Sequence, residues 1–193
     1  MQRTFGKVVN FLHNYGGGPL AVHENFKTMG IRVPVEFCQE LLHAVDKTYP
    51  NLAKYSKEIA AYAQDRGYVD TIYGYKRLLP FINSSNHKMR SGSERQASNS
   101  PIQGSAADIM KRCQNDIYDE LAKKVFPYND VKMCAQVHDE IIFELPDNME
   151  QLIAFDKAVK AIMEREPIPN FPIDIVAESS TGYKWGEKKD FKY

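Results

Sequence analysis

The 193-residue sequence predicts an α+β fold, mostly helical at first and then organised around antiparallel hairpins. Three observations carry that reading. Apolar residues recur at steps of three and four through the first third, β-branched and aromatic residues cluster around Gly74, and two apolar runs flank the polar triplet His138-Asp139-Glu140.

Each element has a local reason. Residues 3–15 read as the first helix, ended by the Gly16-Gly17-Gly18-Pro19 breaker. A second short helix fits residues 20–28, and Val35 to Val45 reads as a third that begins near Pro34. Residues 51–65 form a fourth, with Leu52, Tyr55, Ile59 and Tyr62 on one face. Gly67 to Pro80 reads as a hairpin around a glycine turn. Ser91 and Glu94 have capping-box spacing and open a helix over 92–99. Pro101 lacks a backbone donor and clashes with the preceding turn, so the helix is expected to restart as 101–124 with Pro at its first turn. Lys132 to Leu145 reads as two strands meeting at a polar tip, residues 149–164 as a helix, and Ile173 to Glu178 as a final strand. No repeats or low-complexity tracts interrupt this plan.

Composition narrows the function classes. Hydrophobic residues make up 43% of the chain, enough for a packed core and too many for a disordered segment. Basic and acidic residues both number 25, so the charge is informative only by region: net +4 from Gly74 to Arg95 and net −5 from Asp139 to Glu166. Cys38, Cys113 and Cys134 form no CxxC pair and suit reduced thiols in a cytosolic setting. No apolar run approaches the ~20 residues that span a bilayer, so the expectation is a soluble, unprocessed protein with no membrane partner. No zinc spacing, phosphate loop of the GxxxxGK[ST] type or GxSxG elbow occurs.

Four residues of the first helix, Arg3, Lys7, Phe11 and Tyr15, step by four and drift only ~40° per turn, which leaves them on one face ~18 Å long. Two cations at one end and two rings at the other suit a ligand with phosphates and a base, and the helix N-terminus adds partial positive charge beside Arg3. The same spacing suits an ordinary amphipathic helix with Phe11 and Tyr15 in the core. Arg95, Asn99 and Gln103 also step by four; all three donate hydrogen bonds, and the minor groove offers acceptors at every base pair. Ordinary polar surface has the same pattern. Asp139 and Glu140 are adjacent carboxylates at a strand tip and offer half of a site for a hard cation such as Mg²⁺, or simply an acidic turn in solvent.

Taken in order, R-x-x-x-K-x-x-x-F-x-x-x-Y-G from Arg3 to Gly16, E-R-Q-A-S-N-S-P-I-Q-G-S-A-A-D-I from Glu94 to Ile109, and Q-V-H-D-E from Gln136 to Glu140 resemble family A DNA polymerases of the bacterial polymerase I type. The resemblance covers essentially the whole chain. It implies an incomplete right-hand polymerase fold, with residues 1–66 as a fingers subdomain and 67–193 as the C-terminal palm portion. It also implies roles. Arg3 and Lys7 would grip the triphosphate of a dNTP, Lys7 would assist departure of pyrophosphate, Phe11 would pack on base and sugar, and Tyr15 would stand by the templating base, with Gly16 letting the helix swing. Arg77, Arg95, Asn99 and Gln103 would track primer–template DNA, and His138 the primer end. Asp139 would ligate two Mg²⁺ ions, with Glu140 in support. In this family Phe at the Phe11 position disfavours 2′,3′-dideoxynucleotides and Tyr accepts them.

Departures qualify the resemblance. Leu12 stands where the family usually has Gly, Asn14 is more polar than usual, and Tyr75-Lys76-Arg77 has one cation fewer than the family's basic run. The family's other metal-binding aspartate lies in a D-Y-S-type motif upstream of the fingers helix. The expectation is therefore nucleotidyl transfer only together with an N-terminal polymerase fragment, in the cytoplasm of a bacterium or phage-infected host, and no synthesis by this polypeptide alone. The alternative is a non-catalytic nucleic-acid-binding remnant of such a polymerase; a decayed fragment that does not fold cooperatively is a third.

Overall fold

Helices α1 (Gln2–Asn14), α2 (Pro19–Thr28) and α3 (Val35–Thr48) pack around Val9, Val22, Phe26, Cys38 and Leu42. Val22 with Phe26, and Cys38 with Leu42, are each four apart, so each helix presents one apolar line to the shared core. The computed structural model describes residues 2–14, 16–122 and 130–193, with side chains described at all of these except 2–5, 7, 14 and 122. His13 Nε2 lies 2.8 Å from Asp46 Oδ1 and fastens α1 to α3. Pro19 and Pro50 occupy first helical turns, where a missing N–H costs nothing. Helix α4 (Pro50–Arg66) leads into strands β1 (Tyr68–Asp70) and β2 (Lys76–Leu78), antiparallel with Val69 opposite Arg77. A second core joins α4, this hairpin and the next helix through Ala63, Val69, Leu79, Ile82 and Ala97.

That next helix corrects two expectations. Helix α5 runs unbroken from His87 to Ala122, with Pro101 inside it. It also begins before the Ser91–Glu94 signal, because Asn86 Oδ1 accepts from the Lys88 and Met89 backbone N–H groups at 3.0 and 3.3 Å and closes an earlier first turn. Pro101 withholds one N–H from the Ala97 carbonyl, but tertiary contacts on the same face hold the helix together. Ser93, Ala97 and Ser105 are buried along that face, and Ser105 Oγ donates back to the Pro101 carbonyl. Packing outweighs the proline's local preference.

The chain divides into two units, Met1–Ser105 and Ala106–Tyr193, with the division falling inside α5. In the second, β3 (Lys132–Val137) and β4 (Glu140–Glu144) form an antiparallel pair with an irregularity between Met133 and Ala135. Helix α6 (Met149–Met163), capped by Asn148 Oδ1, covers this pair through a core of Ile117, Phe155, Val159 and Ile162. Phe143 of β4 meets Phe155 edge-on, with ring centroids 5.0 Å apart.

The strand expected over Ile173–Glu178 is not formed; residues 174–179 lack regular secondary structure. Ile173 and Val176 are largely exposed, and among the described residues no strand pairs with this stretch, so its β-propensity finds no hydrogen-bond ladder. The chain then closes through β5 (Ser180–Thr181), a short 3₁₀ turn at Trp185–Glu187 and β6 (Lys189–Asp190). Among the described residues, no helix is long and apolar enough to cross a membrane.

Candidate functional site

Helix α1 places the backbones of Arg3, Lys7 and Phe11 on one face. The side chains of Arg3 and Lys7, and all of Tyr15, lie outside the described residues. Val8, Val9 and Leu12 supply the helix's packed side, whereas Phe11 is 57% exposed. The core assignment for Phe11 therefore fails, and its ring is presented outward. Past the helix end, Gly17 N–H donates to Leu12 O at 2.7 Å and Gly16 N–H to His13 O at 2.9 Å, a closure that needs the left-handed φ of +71° found at Gly16.

The same glycine meets α5. A Cβ on Gly16 would fall 2.7 Å from Cδ and 2.8 Å from Cγ of Arg95, so the arginine's alkyl stem lies directly over the glycine. The guanidinium is steadied by Nη1 donating to Ser91 Oγ at 2.9 Å. Because α5 is continuous, Arg95, Asn99 and Gln103 keep their common face, about 200° around the helix from the buried Ser93, Ala97 and Ser105. Arg95 and Gln103 are exposed and Asn99 is half-buried.

The β1–β2 hairpin is locked to α5 next to that row. A Cβ on Gly104 would sit 2.8 Å from Thr71 Cγ2, so the glycine admits the threonine methyl against the helix. Ser105 Oγ accepts from the Ile72 N–H at 2.9 Å while donating to Pro101 O. Thr71 Oγ1 in turn accepts from the N–H groups of Tyr73 and Tyr75 at 3.3 Å each. Arg77 stands exposed on β2. Gly104 and Ser105 belong to the P-I-Q-G-S run, but their structural task depends on a turn thirty residues upstream and has no local signature.

In the second unit, Val137 and Glu140 pair across a two-residue turn, His138-Asp139. His138 has a φ of +55°, uncommon without glycine. Asp139 is exposed and has no hydrogen bond or ion pair of its own among the described residues. Glu140 is half-buried, and Lys188 Nζ lies 2.5 Å from its Oε1. The Lys188 hydrogen bond holds the Glu140 carboxyl below its ordinary range, against a smaller opposing effect of burial. Gln136 Nε2 donates to the His138 carbonyl at 3.1 Å. Sequence reasoning found Asp139 and Glu140 but missed Lys188, which lies 48 residues downstream of Glu140.

A free carboxylate at an exposed turn is suitable chemistry for one ligand of a hard cation. Among the described residues no three His, Cys, Asp or Glu side chains gather to hold a metal.

Comparison with known proteins gives consistent findings. The family model for DNA polymerase family A matches residues 1–187. The chain is 34% identical over 187 residues to DNA polymerase I of Streptococcus pneumoniae, covering 97% of this chain and 20% of that protein. It is 33% identical over 189 residues to DNA polymerase I of Deinococcus radiodurans, covering 97% and 18%. Among solved structures, the POL domain of Pol1 from M. smegmatis, in complex with DNA primer-template and dNTP, superposes with a TM-score of 0.73 at 26% identity, covering 88% of this chain and 28% of that one. The chain thus spans about a fifth of the length of the curated relatives it matches.

Proposed function

Because the chain belongs to DNA polymerase family A, we propose that it supplies the nucleotide-gripping helix, a duplex-tracking face and one metal-binding carboxylate for template-directed DNA synthesis. The observation that carries this reading is Asp139: an exposed carboxylate without a partner of its own among the described residues, presented on a tight turn between two strands that are packed against α6.

The roles follow from the chemistry of each group. Arg3 and Lys7 neutralise the triphosphate, and Lys7 stabilises charge on the departing pyrophosphate or donates a proton to it. Phe11, already turned outward, stacks on the nucleotide's base and sugar, and Tyr15 stands by the templating base. Arg77, Arg95, Asn99 and Gln103 present donors to phosphates and to minor-groove acceptors that recur at every base pair, which checks pair geometry without reading sequence. His138 faces the primer end. In functional terms residues 1–66 act as fingers and 67–193 as part of the palm.

Asp139 is one of the residues that would hold Mg²⁺, with Glu140 beside it in support. The ion would supply Lewis-acid stabilisation of charge on the transferring phosphoryl group. The second principal aspartate comes from an upstream polymerase segment, since one carboxylate cannot hold two ions in place. In this reading the residues of the chain work with that segment, primer–template DNA and dNTP.

Mixing this chain with a polypeptide carrying the upstream part of a family A polymerase domain should restore Mg²⁺-dependent primer extension, and Asp139→Ala should abolish it. Extension that survives Asp139→Ala would refute the metal assignment. Salt-dependent DNA binding with no extension under any complementation would favour the non-catalytic reading.

A further inference from the structure

The residues on either side of Asp139 are each restrained by a side chain from outside the turn. On the N-terminal side, Gln136 Nε2 donates to the His138 carbonyl at 3.1 Å. On the C-terminal side, the Glu140 carboxylate receives Lys188 Nζ at 2.5 Å. Between them His138 takes a left-handed φ of +55°, in a two-residue turn whose first position ordinarily favours glycine when φ is positive. A non-glycine residue in that region is costly and persists only where the surroundings over-determine it.

The loop that presents Lys188 is itself fixed. Ser180 pairs with Asp190 and Thr181 with Lys189 on either side of it. Phe191 N–H donates to Ser179 O at 2.8 Å, and the Tyr193 hydroxyl donates to Asp156 Oδ2 of α6 at 2.9 Å. Lys188 therefore reaches the hairpin from a braced segment, and its neighbour Lys189 takes no part in that contact.

We propose that Gln136 and Lys188 are positioning residues for Asp139. Gln136 fixes the carbonyl before it, Lys188 fixes the side chain after it, and together they hold a strained turn in the backbone arrangement that presents the aspartate outward. What the turn is held for rests on the reading of Asp139 as a metal ligand; that it is held does not.

The test uses the full 193-residue chain. Amide hydrogen exchange of the hairpin tip is measured for Lys188→Gln, Lys188→Arg, Lys189→Gln and Gln136→Ala. Lys188→Gln should speed exchange at residues 138–141 by about fivefold. Lys188→Arg should restore most of the protection, and Lys189→Gln should match the parent. Gln136→Ala should also speed exchange at the tip, and in a His138→Gly background, where glycine adopts the turn freely, that acceleration should vanish. Unchanged exchange in Lys188→Gln, or the same change in Lys189→Gln, overturns the proposal.

In the complemented polymerase, Lys188→Gln should lower kcat with little change in KM for dNTP. Faster exchange with unaltered extension overturns the positioning role. Failure of complementation by the parent chain counts against the polymerase reading alone, and the exchange results then decide the clamp.

Discussion

Replacing Gly104 by alanine tests how the β1–β2 hairpin is fastened to α5. The added Cβ would lie 2.8 Å from Thr71 Cγ2, roughly 0.7 Å inside the ~3.5 Å at which carbon atoms attract best. Thr71 is β-branched and stiff, and turning it away would break the bonds its Oγ1 accepts from Tyr73 and Tyr75. Overpacking of this kind costs about 1–3 kcal/mol, while exchanging glycine for alanine in a helix returns about 1 kcal/mol. The expected net effect of Gly104→Ala is a loss of up to about 2 kcal/mol, with a fall in Tm of about 2–4 °C per kcal/mol. Thr71→Ser keeps the hydroxyl and removes the offending methyl. The double variant should therefore lose the clash and retain the helix gain, giving a coupling energy of about 1–3 kcal/mol in a double-mutant cycle followed by urea denaturation. A coupling near zero, with Gly104→Ala equally stabilising in the parent and in the Thr71→Ser background, would refute the close-approach argument. Glycine in the P-I-Q-G-S run would then owe nothing to the threonine methyl.

Other expectations concern ligands and pH. Phe11→Tyr should raise 2′,3′-dideoxynucleotide incorporation by the complemented polymerase, and an unchanged ratio of terminator to dNTP use would argue against placing Phe11 beside the sugar. Arg95→Ala should weaken duplex binding and reduce the slope of log affinity against log salt by about one; a slope equal to the parent's would remove Arg95 from the phosphate contacts. Burial pushes the Asp156 carboxyl up, but hydrogen bonds led by Lys160 at 2.9 Å and joined by Tyr193 at 2.9 Å leave it below its ordinary value. A carboxyl lowered by folding contributes stability above its unfolded pKa and loses it as pH falls through the folded value. The stability gap between parent and Asp156→Asn should therefore narrow as pH drops below about 4. Urea midpoints at neutral and acid pH measure this, and a gap that stays constant would show that Asp156 is not the titrating group.

The sequence alone determined helices α1–α4 and α6 and the β1–β2 and β3–β4 hairpins with the residues at their tips, because those depend on periodicity, breakers and turn chemistry within a few residues. The i, i+4 spacing of Arg95, Asn99 and Gln103 was legible in this way, as was the strand-tip position of Asp139. Only the tertiary structure decided the rest. Helix α5 passes through Pro101 because its buried face is held by the Ala97 core and by Ser105 against the Ile72 turn, whereas local rules end a helix there. Ile173–Glu178 has the composition of a strand but, among the described residues, no neighbour to complete a ladder. Glu140 looks like a free acid in sequence and is held by Lys188 in the fold, since a lysine 48 residues away leaves no periodic trace. Local propensity acts through the nearest turns of the chain; partners brought together by packing depend on the path of the whole chain, which no short window records.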